Sequence, residues 1–330
     1  TPTSFEFIYK YKGIKYIYGF SATKEKICEE YLYHYPKGFR AQVFKRTGQE
    51  FSFIQDKAFK QLISKAVAEN QLYFSVANTM NESVCAEAMK FFTESIVFSR
   101  EFEDLPGQIR LNYHNNNVLK SMKQYAQRAD VGITDMKFEM KNTEIDVDDT
   151  IPEDAPPELS RALKSFVSAL SDNSQVKIQR NEIKARTYHT GISKNGEISQ
   201  YELGLEDESD GTLRLMALAA AIDRTIDNGG IFVADELEKG LHPLLTEYIV
   251  NKFQNSEINK NNAQLIFTTH DTEIMGQHFL DADQFYFVDK DRTGESELYS
   301  VDGLGKKNNA DIRTGYLIGK FGGVPELGDE

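Results

Sequence analysis

Two adjacent acids, Asp235 and Glu236, close an apolar run that follows a Gly-Gly breaker, in Gly229-Gly230-Ile231-Phe232-Val233-Ala234-Asp235-Glu236. Ile231 to Ala234 is too brief for a helix and reads as a short buried strand of a parallel sheet. Carboxylates at the carboxyl end of such a strand stand at the mouth of the sheet, where α/β proteins bind ligands. Asp235 is expected to hold Mg²⁺ through water, and Glu236 to orient or deprotonate an attacking water. Taken alone, the pattern also fits a strand that ends in a solvated acidic turn.

Two neighbours bear on that choice. Glu208-Ser209-Asp210-Gly211-Thr212-Leu213-Arg214-Leu215 is a Ser-x-Gly turn opening a Leu- and Ala-rich helical run from Leu213 to Ile226. Ser and Gly at a helix N-terminus expose backbone N–H groups that suit phosphate. Downstream, Ala263-Gln264-Leu265-Ile266-Phe267 reads as a second buried strand, and it ends in Thr268-Thr269-His270. A His placed there can reach the terminal phosphate of a nucleotide held at the same sheet edge. A lone His after a strand is more often structural; the order Ser-x-Gly, Asp-Glu, His favours the functional reading.

With these residues in view, the sequence resembles the ABC-type ATPase domains of the overcoming-lysogeny-defect and related bacterial defence ATPases. These are AAA-family ATP-binding proteins related to the structural-maintenance-of-chromosomes ATPases. Ser209-Asp210-Gly211-Thr212 resembles the signature loop, and Phe232-Val233-Ala234-Asp235-Glu236 the Walker B strand with its catalytic Glu. Leu237-Glu238-Lys239-Gly240-Leu241-His242-Pro243 is similar to the D-loop, and Thr268-Thr269-His270 to the H-loop. The resemblance is specific across residues 199–290 and weak across 50–185; Gly315 to Pro325 also resembles the tail of such proteins.

The resemblance implies an α/β fold: an ABC-ATPase head, with a mixed sheet flanked by helices and an antiparallel β subdomain, carrying a compact helical insertion. It implies ATP and Mg²⁺ as cofactors and a head-to-head homodimer or higher oligomer. One subunit then supplies a P-loop, Asp235, Glu236 and His270, while Ser209 and Gly211 of the other, with Asp210 and Thr212 in the same loop, close over the γ-phosphate. His242 falls in or near the D-loop, where two readings stay open, a contact across the dimer and a cap before Pro243.

One departure from the family pattern is plain. G-x-x-x-x-G-K-[ST] occurs nowhere in the sequence: Gly191 to Gly196 runs into Glu197, and Gly303-Leu304-Gly305-Lys306 lacks the spacing. Because residue 1 is Thr and Phe5 to Phe20 begins inside an alternating hairpin, the expectation is that the P-loop lies upstream of Thr1. ATP hydrolysis is expected on that condition.

Composition sets the outer bounds. A chain of 330 residues, 40% apolar and 12% aromatic, can bury a full core. A formal charge of −13 argues against a general DNA-coating protein, since non-specific affinity comes from Lys and Arg neutralising phosphates. A local basic groove stays compatible with it, so nucleic-acid binding is left open. Cys28 and Cys85 stand far apart in a chain with no signal peptide or long apolar span. A cytoplasmic location, no membrane and two structural thiols are the expectation.

Along the chain three parts are expected. Residues 1–55 read as an antiparallel β region, its tyrosine alternation owed to strand packing. Residues 56–186 read as mainly helical, with an acidic, Pro-bearing loop at 144–157 that reads as a solvated linker. Residues 187–330 read as the ATPase lobe. The resemblance points to prokaryotic antiphage defence, in which the ATPase scaffolds or controls a separate toxic effector, a nuclease in many cases, under a phage trigger. A DNA repair or recombination ATPase and a non-hydrolysing nucleotide-binding scaffold are the alternatives.

Overall fold

The computed structural model describes residues 1–129, 132–144, 156, 158–162, 165–166, 179–301 and 309–324; most of the acidic loop at 144–157 lies outside them. The fold is mixed α/β, in two compact units: Thr1–Val97 with Asn228–Ile231, and Phe98–Asp227 with Phe232–Glu330.

The first unit is built on an antiparallel meander: β1 (Thr3–Tyr11), β2 (Ile14–Ala22), β3 (Ile27–His34), β4 (Ala41–Thr47) and β5 (Glu50–Ser52), paired in that order. Lys12 (φ 45°) and Gly13 (φ 81°) both take left-handed backbone between β1 and β2, the primed turn whose twist matches its flanking strands. The tyrosines do pack: Tyr9 and Tyr16 face each other across the hairpin with ring centroids 5.3 Å apart, and Tyr9, Tyr16 and Tyr18 are buried with Leu32 and Phe44. Helices α1 (Lys57–Lys65), α2 (Tyr73–Thr79) and α3 (Ser83–Lys90) cover this face with Ile63, Tyr73, Phe74, Ala77, Cys85 and Ala88. Each large apolar side chain so buried contributes about 1.5–3 kcal/mol.

The same core holds a fully buried acid. Glu30 accepts the N–H groups of Tyr73 (2.7 Å) and Phe74 (2.9 Å), two of the unpaired donors that open α2, and the Tyr18 hydroxyl (3.2 Å). Arg46 lies 3.6 Å away and donates to the carbonyls of Gly48, Ala68, Glu69 and Gln71. Burial pushes the Glu30 carboxyl up, against the pull of these donors and of Arg46.

The short strand β6 (Ile96–Phe98) begins in the first unit, which runs to Val97. In the second unit, after helices α4 (Leu105–Asn112) and α5 (Asn116–Ala129), β7 (Ile133–Glu144), β8 (Gln179–Ile192) and β9 (Ile198–Gly204) form an antiparallel sheet. β7 is a strand inside a stretch whose composition reads as helical. Ile133 and Met136 turn inward and Thr134 and Lys137 outward, and the register sets Met136 opposite buried Thr187 and Phe138 opposite buried Ala185. β9 feeds α6 (Asp210–Asn228), 19 residues long and buried through Leu215 to Ala219, Ala221, Ile222 and Ile226. A helix apolar on so many sides is an internal one. Then follow β10 (Ile231–Ala234), α7 (Pro243–Gln254) and β11 (Gln264–Phe267), with β11 beside β10 in one sheet. The hairpin of β12 (Tyr286–Lys290) and β13 (Ser296–Ser300) and helix α8 (Asn309–Leu317) share a small core of Phe287, Val301, Ile312 and Phe321.

Candidate functional site

Phe232 and Ala234 are buried, so β10 delivers its last residues from the interior to the surface, where Asp235 and Glu236 are exposed. β11 ends beside them. Thr268 N–H donates to the Ala234 carbonyl (3.0 Å), and Leu237 N–H donates to the Thr268 carbonyl (3.1 Å), so the two strand ends are stitched on either side of the acid pair. Between those stitches the Thr268 hydroxyl lies 2.7 Å from Asp235 Oδ1 and accepts the Glu236 N–H at 2.8 Å. Glu236 itself has left-handed backbone (φ 49°), uncommon for a side chain of its size.

His270 stands on the same edge. Its Nε2 is 3.8 Å from Glu236 Oε1, beyond hydrogen-bond reach, and its side chain is 86% exposed against 48% for Glu236. Both are therefore open to a ligand. The backbone of His270 is fixed, because its N–H donates to Glu238 Oε1 at 2.8 Å. Thus three sequence-derived candidates, Asp235, Glu236 and His270, come together through contacts between residues more than thirty positions apart.

The signature-like loop is built at the start of α6. Ser209 Oγ accepts the Thr212 N–H (3.1 Å) and lies 2.8 Å from Thr212 Oγ1, so it caps the helix. Thr212 is buried, whereas Ser209 and Asp210 are exposed. Upstream, Glu208 is anchored on the β8–β9 sheet: it accepts the Thr187 hydroxyl, and His189 Nε2 lies 2.8 Å from it with both side chains buried. The loop also touches the turn that follows Glu236. A Cβ at Gly211 would stand 2.4 Å from the Gly240 carbonyl oxygen, so only glycine allows this approach. Arg214, on the first turns of α6, donates to the carbonyls of Glu236 (3.1 Å) and Lys239. His242 is the N-cap of α7, its Nδ1 accepting the Leu244 N–H at 3.3 Å. Thr268, Glu238 and Arg214 are the residues that motif reading passes over as site members; each acts through a backbone group of a distant segment.

The donor set can be weighed against a metal–nucleotide. Among the described residues there is no cluster of three or more His, Cys, Asp or Glu able to cage a metal. Mg²⁺ is ordinarily held by one or two carboxylates together with phosphate oxygens and waters. Exposed Asp235, with one carboxylate oxygen engaged by Thr268, fits that role.

The "Retron Vc95 probable ATPase" of Vibrio cholerae serotype O1 biovar El Tor is 32% identical over 124 residues, 36% of this chain and 22% of that protein. The chain thus spans about a fifth of that relative's length. The solved "Structure of the recombination mediator protein RecF-ATP in RecFOR pathway" covers 87% of this chain and 80% of its own, at 13% identity and a TM-score of 0.26, too slight a likeness to carry a conclusion. Residues 1–276 match the family described as "AAA domain, putative AbiEii toxin, Type IV TA system", and the chain belongs to that family of AAA ATPases.

Proposed function

We propose that this protein binds and hydrolyses ATP with Mg²⁺ and does so as a dimer in antiphage defence, where it scaffolds or controls a separate toxic effector. The observation that carries the reading is the open acid pair, with Asp235 and Glu236 joined through Thr268 at one sheet edge and His270 Nε2 3.8 Å from Glu236. In this reading Asp235, with one carboxylate oxygen left free by Thr268, would hold the Mg²⁺ through water. A bound Mg²⁺ supplies charge neutralisation at the phosphates. Glu236 orients the attacking water and accepts its proton on a carboxylate oxygen. His270, whose side chain is more exposed than that of Glu236, would contact the terminal phosphate. Ser209 and Gly211 of the second protomer close the site with the amides at the start of α6, where a helix N-terminus favours anionic charge. The defence role rests on family membership and on the partial likeness to the retron ATPase.

The test is Glu236→Gln in the full-length protein. It is expected to bind ATP while losing on the order of 10²-fold or more in steady-state turnover, because the amide cannot accept the proton. Unchanged turnover would remove Glu236 from the chemistry. Mixing that variant with Ser209→Arg tests action between protomers: complementation, or ATP-dependent association seen by light scattering, supports the dimer, and two independent behaviours count against it. Purification from native cells is expected to recover a second protein, the effector.

A further inference from the structure

We propose that Thr268 is a positioning residue whose single hydroxyl fixes both acids of the site at once; the inference rests on the ATPase reading above and extends it. A hydroxyl has one proton and two lone pairs. The Glu236 N–H can only donate, so at 2.8 Å it takes a lone pair of Thr268 Oγ1. The hydroxyl proton is then directed to Asp235 Oδ1, 2.7 Å away, which must accept it. The result is a relay with one polarity, running from Glu236 amide to Thr268 hydroxyl to Asp235 carboxylate.

Three features make this more than a chance contact. First, Thr268 is held by its own backbone to the residues flanking the pair, through Ala234 and Leu237, so the hydroxyl position is set independently of the acids. Second, threonine is branched at Cβ and its χ1 is stiff, so little rotamer freedom is left to lose. Third, Glu236 sits at φ 49°, a conformation that persists only when its surroundings hold it, and Thr268 receives its amide. Fixing Asp235 Oδ1 leaves the other carboxylate oxygen to face a metal, and fixing the Glu236 backbone sets where its carboxylate can point. Threonine places both the hydroxyl and the stiffness; serine keeps the first and valine the second.

The experiment compares wild type, Thr268→Val and Thr268→Ser in the full-length protein. Thermal melting checks folding. Amide hydrogen exchange at Glu236, without nucleotide, reads the tether, Mn²⁺ titration in the presence of ATP reads Asp235, and kcat and KM for ATP read the chemistry. The valine variant is expected to fold, to exchange the Glu236 amide and release Mn²⁺ faster, and to lose roughly 10- to 100-fold in kcat, as misplacement of a reacting group does. Its KM is expected to stay within about three-fold, and serine to restore every readout to within about three-fold of wild type, as befits loss of an interaction realised in the transition state. Thr268→Ala carries the same expectation should the valine variant not fold. The proposal is overturned by a folded valine or alanine variant that keeps wild-type exchange and turnover, or by a serine variant that falls as far as valine. If wild type shows no hydrolysis, the ATPase reading fails, and the exchange and Mn²⁺ measurements still decide the role of Thr268.

Discussion

Glu238, two residues beyond the acid pair, ties the D-loop-like turn to the segment bearing His270. Partial burial pushes its carboxyl up, but hydrogen bonds from the Thr269 side chain and the His270 N–H outweigh it, and its pKa is lowered on balance. A carboxyl with a depressed folded pKa lends stability that is present above the unfolded value and lost as pH falls through the folded one. The melting difference between wild type and Glu238→Gln is therefore expected to be largest near neutral pH and to shrink below about pH 4. A difference that stays constant across that range would count against the tether. At this scale the sequence announces Asp235 and Glu236 because they adjoin an apolar strand. The roles of Thr268 and Glu238 were not legible, since each depends on strand ends that meet from 32 or 33 positions apart, a distance over which no local periodicity carries a signal.

Among elements, the α6 N-terminus meets the turn after Glu236 closely enough to leave no room for a Cβ at Gly211. Gly211→Ala would place a methyl 2.4 Å from a backbone oxygen, which cannot swing aside as a side chain can. The variant is expected to keep α6, to lose about 1–3 kcal/mol as an overpacked contact does, and to lose ATP turnover. Retention of both stability and turnover would show that the loops are free to part. The local signals for elements were good where the contacts are local. Alternating aromatics and the Lys12-Gly13 turn mark the β1–β2 hairpin, and Pro243 marks the first position of α7. The β7–β8 pairing was not legible: Ile133 sits opposite His189, and β7 alternates Met and Phe with charged residues that have low strand preference.

For the whole molecule, the sequence supplied α/β class and the absence of a long apolar span, and among the described residues no helix is long and apolar enough to cross a membrane. The division into two compact units was beyond it, because each unit takes in a second segment distant in the chain, Asn228–Ile231 for the first and Phe232–Glu330 for the second. That division gives the thiols a use. Both cysteines fall in the first unit, Cys28 half-buried and Cys85 fully buried with its pKa raised well above the ordinary value by desolvation. A buried thiol of that kind is inert until its surroundings open. With no tryptophan in the sequence to report unfolding by fluorescence, alkylation can do so instead. In native buffer an alkylating reagent is expected to modify Cys28 and spare Cys85; across a urea series Cys85 is expected to become reactive in one cooperative step, checked by mass spectrometry of the labelled peptides. Modification of Cys85 at the rate of Cys28 in native buffer would show that this core is not closed. Since residues 98–330 contain no cysteine, the chemistry is silent toward the unit that carries Asp235 and Glu236. The protein thus comes with a one-sided clock, able to time the opening of its tyrosine-rich core without a label in the unit that carries the acid pair.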